Sequence, residues 1–318
     1  MGVNIIKKYK KYKKENKNTK IIKHYKKMVG GYKSLDKKYL KELDKIIKEV
    51  NETREENKKI DESHGLHHGL IVCCNVSKAL EHNSNINDRQ KLLVKLAALL
   101  HDIDDHKYFP DNHKFENARK ILNNSNIQKI DDLTDNEVAT ILLMIYLVSS
   151  STHGDTMPCD VPEWYFYPRY ADRLEAVGII GLERTYEYTL KKKQPLYTSN
   201  TQRAKNKNDL YDNIATVERY KQYSMPGSAS KSMVDHIYDK LLRLGDFPIN
   251  NKYFKKECDS RIKPLSDFCL EFSKNYPKGE LVKFDDDFDK FFKNFIEKYD
   301  TQVHTDCLHQ TKEYISTL

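Results

Sequence analysis

The sequence predicts an all-α fold, and three observations indicate it. Apolar residues recur at helical spacing along most of the chain, no useful stretch alternates between apolar and polar residues, and the clearest start signals are those of helices. With 318 residues, the chain is long enough to bury a substantial core. Its hydrophobic content of 38% is low, but the deficit is concentrated near the amino terminus.

Residues 1–34 are predicted to form a flexible basic tail. Residues 1–40 hold fourteen lysines against only Glu15 and Asp36, a charge of +12, so a chain of net charge +8 has about −4 on the remainder. Lysines interleaved with tyrosines suit the phosphates and bases of a nucleic acid. A charge run alone favours a solvated tail, and weak nucleic-acid binding stays open as the alternative.

The predicted helices follow one another from residue 35 onward. Two of them begin with capping boxes, in which Asn87 is paired with Gln90 and Thr134 with Glu137. Residues 191–230 are polar, and we interpret them as a long excursion or lid with one modest helix. The helical segments are 35–57, one that ends near 80, 87–105, 115–122, 134–148, 169–188, 210–220, 232–244, and two or three more that include an aromatic stripe at 288–296.

The cysteines and the hydropathy pattern predict an intracellular, soluble and therefore cytoplasmic protein. The six cysteines form no CxxC pair, and no apolar secretory segment precedes them, so we expect reduced thiols. No stretch approaches the roughly twenty uninterrupted apolar residues that a membrane span needs. We therefore expect no membrane partner, and the sequence leaves the oligomeric state open.

The segment 92–100 is the strongest candidate for a core helix, because eight of its nine residues are apolar. His101, Asp102 and Asp105 are predicted to project from its last turns, with His101 and Asp105 on the same side. Buried polar groups of this kind cost several kcal/mol unless they have partners or a metal ion. An isolated histidine–aspartate pair is common, so other ligands must accompany it.

Further candidate ligands lie at the margins of two other helices. His64, His67 and His68 have the i, i+3, i+4 spacing of one helical face. Asp172 precedes an apolar stretch in which Gly178 and Gly181 allow a close helix approach. Helical bundles build metal sites where imidazoles and carboxylates from several helices converge.

Four motifs follow one another along the chain, namely Ser63-His64 with His68, Ala97 to Asp105, Ala171 to Gly178, and His236 to Leu244. Together they resemble the motifs of the HD-domain phosphohydrolase superfamily, and within it those of the YedJ/YpgQ-like group. The resemblance covers about residues 57–300 and implies an HD core at about 57–245 followed by a helical part at 246–318, so that 35–318 is one hydrolase domain. The chain departs from the family pattern at Ile71 and Tyr170, in the basic tail and in the long excursion.

The resemblance implies one divalent ion held by two imidazoles and two carboxylates, namely His68, His101, Asp102 and Asp172. Such a donor set suits Mn²⁺ best, with Mg²⁺, Fe²⁺, Co²⁺ or Ni²⁺ as alternatives. Asp105 is the candidate general base or water-orienting group, and a salt bridge at a helix end is its alternative role. The candidate substrate-binding residues are His64, His67, Lys107, Arg173, Tyr238 and Lys240.

The resemblance further implies a nucleotide substrate, with cleavage of nucleoside or deoxynucleoside triphosphates to monophosphate and pyrophosphate. A 5'-nucleotidase or a cyclic-nucleotide phosphodiesterase is the alternative enzyme, and release of orthophosphate would favour it. A binding module for nucleotides or nucleic acid, without turnover, is the alternative from another functional class. Intact ligands argue against that module.

Overall fold

In the computed structural model of the chain, the described residues form helices joined by turns and irregular segments and contain no β-strand, which confirms the predicted fold class. It describes residues 37–55, 59–60, 64–106, 108–112, 114–124, 131–149, 160–225, 227–246, 250–277, 286–300, 307 and 311. The basic tail and Lys107 lie outside these residues.

The helices are numbered here in chain order. A 3₁₀ turn at Glu163–Phe166 leads into α6, and π-helical turns at Leu210–Ile214 and Ile237–Leu241 extend α8 and join α10 to α11. The bounds are α1 Lys37–Thr53, α2 Leu66–Leu80, α3 Asp88–Leu100, α4 Glu116–Leu122, α5 Asp135–Val148, α6 Tyr167–Glu175, α7 Gly178–Lys192, α8 Lys207–Asp209, α9 Val217–Tyr223, α10 Met233–His236, α11 Leu242–Leu244, α12 Lys252–Asn275 and α13 Asp286–Asp300.

One apolar cluster is built from α1 to α6. Helices α2 and α3 are buried around most of their circumference, and for α3 this is what the apolar segment 92–100 predicts. Helix α5 packs against α3, and helix α6 packs against both α2 and α3. Helix α1 covers this cluster with an apolar face that includes Tyr39 and Leu40. The cluster therefore surrounds the three helices that carry the candidate metal ligands.

A second apolar cluster is built from residues 177–299. Its aromatic stripe on α13 is buried at Phe288, Phe292 and Phe295, which confirms that the stripe belongs to the core. Helix α12 joins the two clusters, because Phe254 packs in the first and Phe268 in the second.

The excursion at 191–230, which the sequence suggests is a lid, packs into the second apolar cluster in its described residues. Leu196, Leu210 and Ile214 are buried in the second cluster, and α9 packs against the π-helical turn at Ile237–Leu241. The segment carries enough apolar residues to build a wall of this cluster, although its overall composition is polar. It is therefore an integral part of the fold in its described residues.

The predicted helix starts agree with the structure, but one predicted helix is divided in two. Both capping boxes form, at Asn87–Gln90 and at Thr134–Glu137, and they are confirmed. The segment 169–188 was expected to be a single helix, but α6 ends at Glu175 and α7 begins at Gly178. Gly178 has a φ of +81°, which breaks the helix and is accessible to glycine at little cost.

The cysteines correct the expectation of reduced thiols in part. Cys74 on α2 and Cys307 form a disulfide, although 233 residues separate them in sequence. Cys73, Cys258 and Cys269 are free and buried, and Cys159 lies outside the described residues.

Among the residues described, no helix combines the length and the apolar character that crossing a membrane demands.

Candidate metal centre

His68 lies in the first turn of α2, directly before a glycine that lets α2 approach α3. A Cβ atom on Gly69 would lie 2.7 Å from the carbonyl oxygen of Leu99, a distance that real Cβ atoms do not reach. The glycine therefore brings the helix of His68 against the end of the helix that precedes His101.

His101 is oriented by its own backbone at the carboxyl end of α3. Its Nδ1 donates a hydrogen bond of 2.8 Å to the carbonyl of Ala98, which leaves Nε2 with its lone pair free to act as a ligand. The His101 side chain is 1% exposed, and Nε2 is buried without a hydrogen bond of its own. Nε2 nevertheless faces carboxylates, since it lies 3.3 Å from Asp102 Oδ2 and 3.6 Å from Asp172 Oδ1.

Asp172 completes the group from the middle of α6. Its Oδ1 lies 3.1 Å from His68 Nε2, and Asp102 Oδ2 lies 3.6 Å from the same nitrogen. The ligand atoms of His68, His101 and Asp102 all lie within 4.8 Å of one another. His68 on α2, His101 and Asp102 at the carboxyl end of α3, and Asp172 on α6 thus lie close together, and their role as metal ligands stays a prediction.

The imidazoles form the floor of this group and the carboxylates form its rim. The side chains of His68 and His101 are 6% and 1% exposed, whereas those of Asp102 and Asp172 are 18% and 34% exposed. A cation held here would meet buried nitrogen atoms on one side and would remain reachable from solvent on the other.

The charges of the group perturb the pKa values of its members. Burial alone lowers the pKa of His101, but the Asp102 and Asp172 carboxylates outweigh it and raise that pKa well above its ordinary value. Burial tends to raise the pKa of Asp172, but the neighbouring imidazoles of His101 and His68 hold it well below its ordinary value. The pKa of Asp102 is lowered for the same reason.

The residues present fit a divalent metal ion. The unpartnered Nε2 of His101 is a buried donor atom directed at two carboxylates, which is the arrangement expected of an imidazole ligand. Two imidazole nitrogens and two carboxylates form a mixed donor set of the kind that transition metals prefer over Ca²⁺.

His68, His101, Asp102 and Asp172 are called the metal-site group below. His64 lies beside this group, but it precedes α2 and does not share a helical face with His68. Gly65 is the N-cap residue and the helix begins at Leu66, so His64 lies before the helix and the predicted i, i+3, i+4 face does not include it. The ring of His64 lies 6.4 Å from that of His68, and the hydroxyl of Tyr108 lies 3.1 Å from His64 Nδ1. The sequence prediction missed Tyr108, whose only signal is its closeness to the histidine–aspartate motif.

Lys240 interacts electrostatically with the Asp172 carboxylate and with two arginines. Burial lowers the pKa of Lys240, the Asp172 carboxylate opposes that change, and Arg173 and Arg184 add to it. The Lys240 ammonium also lies 5.9 Å from the centre of the Tyr223 ring. Arg184 was not predicted; its guanidinium donates a hydrogen bond of 3.2 Å to the carbonyl of Glu175.

Two other predicted substrate-binding residues are placed differently. Tyr238 is fully buried in the second cluster, and its hydroxyl donates to the carbonyl of Gln202 at 3.1 Å. Its hydroxyl is thus used within the core, which corrects the prediction that it contacts substrate. His67 is half-buried and projects about 100° around α2 from His68. Lys107 lies outside the described residues.

Asp105 does not lie on α3, which corrects the predicted helical spacing from His101. The helix ends at Leu100, with His101 as its C-cap, and turns lead through to Asp105. The buried carboxylate in this segment is Asp104, which accepts hydrogen bonds from the backbone amides of Asn117 and Ala118 at 3.0 and 2.8 Å. Asp104 therefore caps the amino-terminal end of α4, and the chain between His101 and Asp105 forms turns in place of a continued helix.

Comparisons with known proteins add a relative but no assigned activity. No protein-family model matches the chain. The chain is 37% identical over 221 residues to uncharacterized protein L803 of Acanthamoeba polyphaga mimivirus, across 66% of this chain and 88% of the relative. Similar solved structures include an HD-superfamily hydrolase from Bacillus thuringiensis, with 20% identity and a TM-score of 0.46 over 75% of this chain and 96% of that one. Bacillus subtilis YpgQ has 18% identity and a TM-score of 0.46 over 75% and 97%.

Proposed function

The chain belongs to the same family as the mimivirus protein L803, and we propose that it is a metal-dependent phosphohydrolase with an HD-type site. One observation carries the proposal: ligand atoms of His68, His101 and Asp102 lie within 4.8 Å of one another, and Asp172 Oδ1 lies 3.1 Å from His68 Nε2. The four proposed ligands are His68, His101, Asp102 and Asp172.

The proposed ion is Mn²⁺, with Mg²⁺, Fe²⁺, Co²⁺ or Ni²⁺ as alternatives. When bound, such an ion supplies positive charge that polarises a phosphoryl oxygen and lowers the pKa of water. The protein's contribution is orientation. The bond to Ala98 fixes the tautomer of His101, and the burial of both imidazoles excludes water from one side of the site.

The proposed substrate is a nucleoside triphosphate. Lys240 is influenced by the Asp172 carboxylate and by the positive charges of Arg173 and Arg184, and a polyphosphate bound beside Lys240 would offset this positive charge. We propose that the oxygen of a water molecule forms a bond to the α-phosphorus while the bond to the bridging oxygen breaks, which yields monophosphate and pyrophosphate. Asp105 is the proposed acceptor of the water proton.

A nucleotide screen with Mn²⁺ tests this proposal. Purified protein is incubated with ribonucleoside and deoxyribonucleoside triphosphates, monophosphates and cyclic nucleotides, and pyrophosphate and orthophosphate are measured separately. The proposal expects pyrophosphate from triphosphates. Orthophosphate from monophosphates, or opening of cyclic nucleotides, would instead support the alternative enzymes, and binding without turnover would support a binding module.

Two aspartate variants on the same stretch of chain provide the site test and its control. Asp102→Ala removes a proposed ligand and is expected to abolish both metal content and hydrolysis. Asp88→Asn changes a carboxylate that is 98% exposed at the opposite end of α3 and is expected to leave both unchanged. Hydrolysis that survives Asp102→Ala would place the active site elsewhere.

A further inference from the structure

A buried polar network lies behind the metal-site group, in the part of the third motif that the proposed ligands do not use. Glu175 Oε1 accepts hydrogen bonds from Asn75 Nδ2 at 3.1 Å and from Arg261 Nη1 at 2.8 Å. Arg261 Nη1 also donates to the carbonyl of Leu174 at 2.6 Å. Glu175, Asn75 and Arg261 are 4%, 0% and 3% exposed, so water does not share these bonds.

The network repeats the connection that the ligands themselves make between α2 and α6. Asn75 follows His68 on α2 by seven residues, which is two helical turns, and Glu175 follows Asp172 on α6 by three, about one turn. Each pair therefore lies on one face of its helix. The His68–Asp172 and Asn75–Glu175 contacts, both 3.1 Å, are two rungs between the same two helices.

The orientation of the Asn75 amide is determined by a further contact. The hydroxyl of Tyr253 donates to Asn75 Oδ1 at 2.7 Å, so the amide nitrogen is the atom that faces Glu175. Tyr253 and Arg261 both lie on α12, which thus holds Asn75 and Glu175 from the same side. Gly178 allows this approach, because a Cβ atom there would lie 3.2 Å from the Cβ of Arg261.

A buried ion pair of this kind is not an efficient source of stability. Removing a carboxylate and a guanidinium from water costs several kcal/mol each, and apolar side chains of similar volume are often as stable or more so. What the charged network provides, and an apolar contact does not, is a fixed direction and distance between α2 and α6.

We propose that Asn75, Glu175 and Arg261 are positioning residues that set the separation of Asp172 from His68 and thereby the affinity for the metal ion. This inference rests on the proposed function only in requiring a metal ion at that site. None of the three residues is a proposed ligand, and they act through the two helices.

Binding of Mn²⁺ alone, measured by calorimetric titration, tests the proposal together with the melting temperature of each variant. Glu175→Gln keeps the shape of the side chain and removes its charge, and it is expected to weaken Mn²⁺ binding by about tenfold or more. Asn75→Ala leaves the Glu175–Arg261 pair in place, and it is expected to weaken binding by about fivefold, the equivalent of one net hydrogen bond.

A double variant separates positioning from stability. Glu175→Gln combined with Arg261→Met removes both buried charges, so its melting temperature is expected to recover relative to Glu175→Gln alone, while Mn²⁺ binding remains weak. Arg219→Lys alters an ion pair in the second cluster, where Arg219 lies 3.1 Å from Asp235, and it is the control expected to retain wild-type Mn²⁺ affinity.

Three results would overturn the inference. Folded Glu175→Gln and Asn75→Ala proteins that bind Mn²⁺ as tightly as wild type would refute positioning alone, with the proposed function intact. Recovery of both stability and Mn²⁺ affinity in the double variant would show a merely structural role. A wild-type protein that binds no divalent ion would contradict the proposed function and the positioning role together.

Discussion

Gly69→Ala offers a sharp perturbation of the candidate metal centre, because it changes the spacing of two helices without touching a ligand. The new Cβ would lie 2.7 Å from the Leu99 carbonyl oxygen, which is 0.7 Å short of the 3.4 Å where ordinary contact begins. Backbone cannot rotate away as a side chain can, so α2 and α3 must separate. His68 adjoins Gly69, and His101 lies two residues beyond Leu99, so both imidazoles move with their helices.

The separation is expected to affect metal binding more than stability. Overpacking of this kind costs about 1–3 kcal/mol, and the better helix propensity of alanine returns about 1 kcal/mol, for a net loss of about 0–2 kcal/mol. Metal–ligand distances, by contrast, tolerate only about 0.2 Å, so a shift of several tenths of an ångström is expected to weaken Mn²⁺ binding by about tenfold or more.

Calorimetric Mn²⁺ titration and urea unfolding of the same protein samples measure the two effects. Gly245→Ala is the matched control, because its Cβ would lie 2.3 Å from Cys258 Sγ, outside the metal-site group. This control is expected to lose stability and to keep its Mn²⁺ affinity. Wild-type Mn²⁺ affinity in a folded Gly69→Ala protein would refute the account of helix spacing.

Three further predictions concern the backbone, the ligand protonation and the tail. Gly178 and Gly227 have φ values of +81° and +83°, but of the two only Gly178 lies close to Arg261. In urea unfolding, Gly227→Ala should lower the free energy of unfolding by about 1 kcal/mol and Gly178→Ala by about 2–4 kcal/mol. Equal losses in the two variants would contradict the role of the Arg261 contact. Because the Asp102 and Asp172 carboxylates raise the pKa of His101 and a metal ion binds only the unprotonated nitrogen, Mn²⁺ affinity in titrations from pH 6.5 to 8 should increase with pH, and a flat profile would exclude proton displacement. Deleting residues 1–34 should reduce salt-sensitive nucleic-acid binding in a mobility-shift assay and leave nucleotide hydrolysis unchanged, and unchanged binding would favour a solvated tail.

Much of the fold was predictable because its signals are local. The capping boxes at Asn87 and Thr134 depend on residues three positions apart, and both form. The apolar segment 92–100 also predicted a helix that is buried on most sides, because a helix of such residues has no polar face that could be exposed to water. The need of buried polar groups for partners favoured a shared site, but the choice of His68 and Asp172 as partners of His101 and Asp102 came from the resemblance to the HD-domain superfamily.

The remaining features depend on residues far away in sequence. The break between α6 and α7 accommodates Arg261, which lies 83 positions beyond Gly178. The end of α3 follows from Asp104, whose carboxylate caps α4 instead of continuing a helical pattern. Helical periodicity placed Tyr238 correctly on a helix, but only packing against the excursion shows that its hydroxyl is used inside the core.

The number of Mn²⁺ ions bound per chain tests the central claim most directly. Equilibrium dialysis followed by elemental analysis is expected to find one tightly bound ion in the wild-type protein, and none in the Asp172→Asn and His68→Ala variants that retain wild-type helicity. A wild-type chain without a bound divalent ion, or folded variants that retain it, would contradict a metal centre formed by these residues.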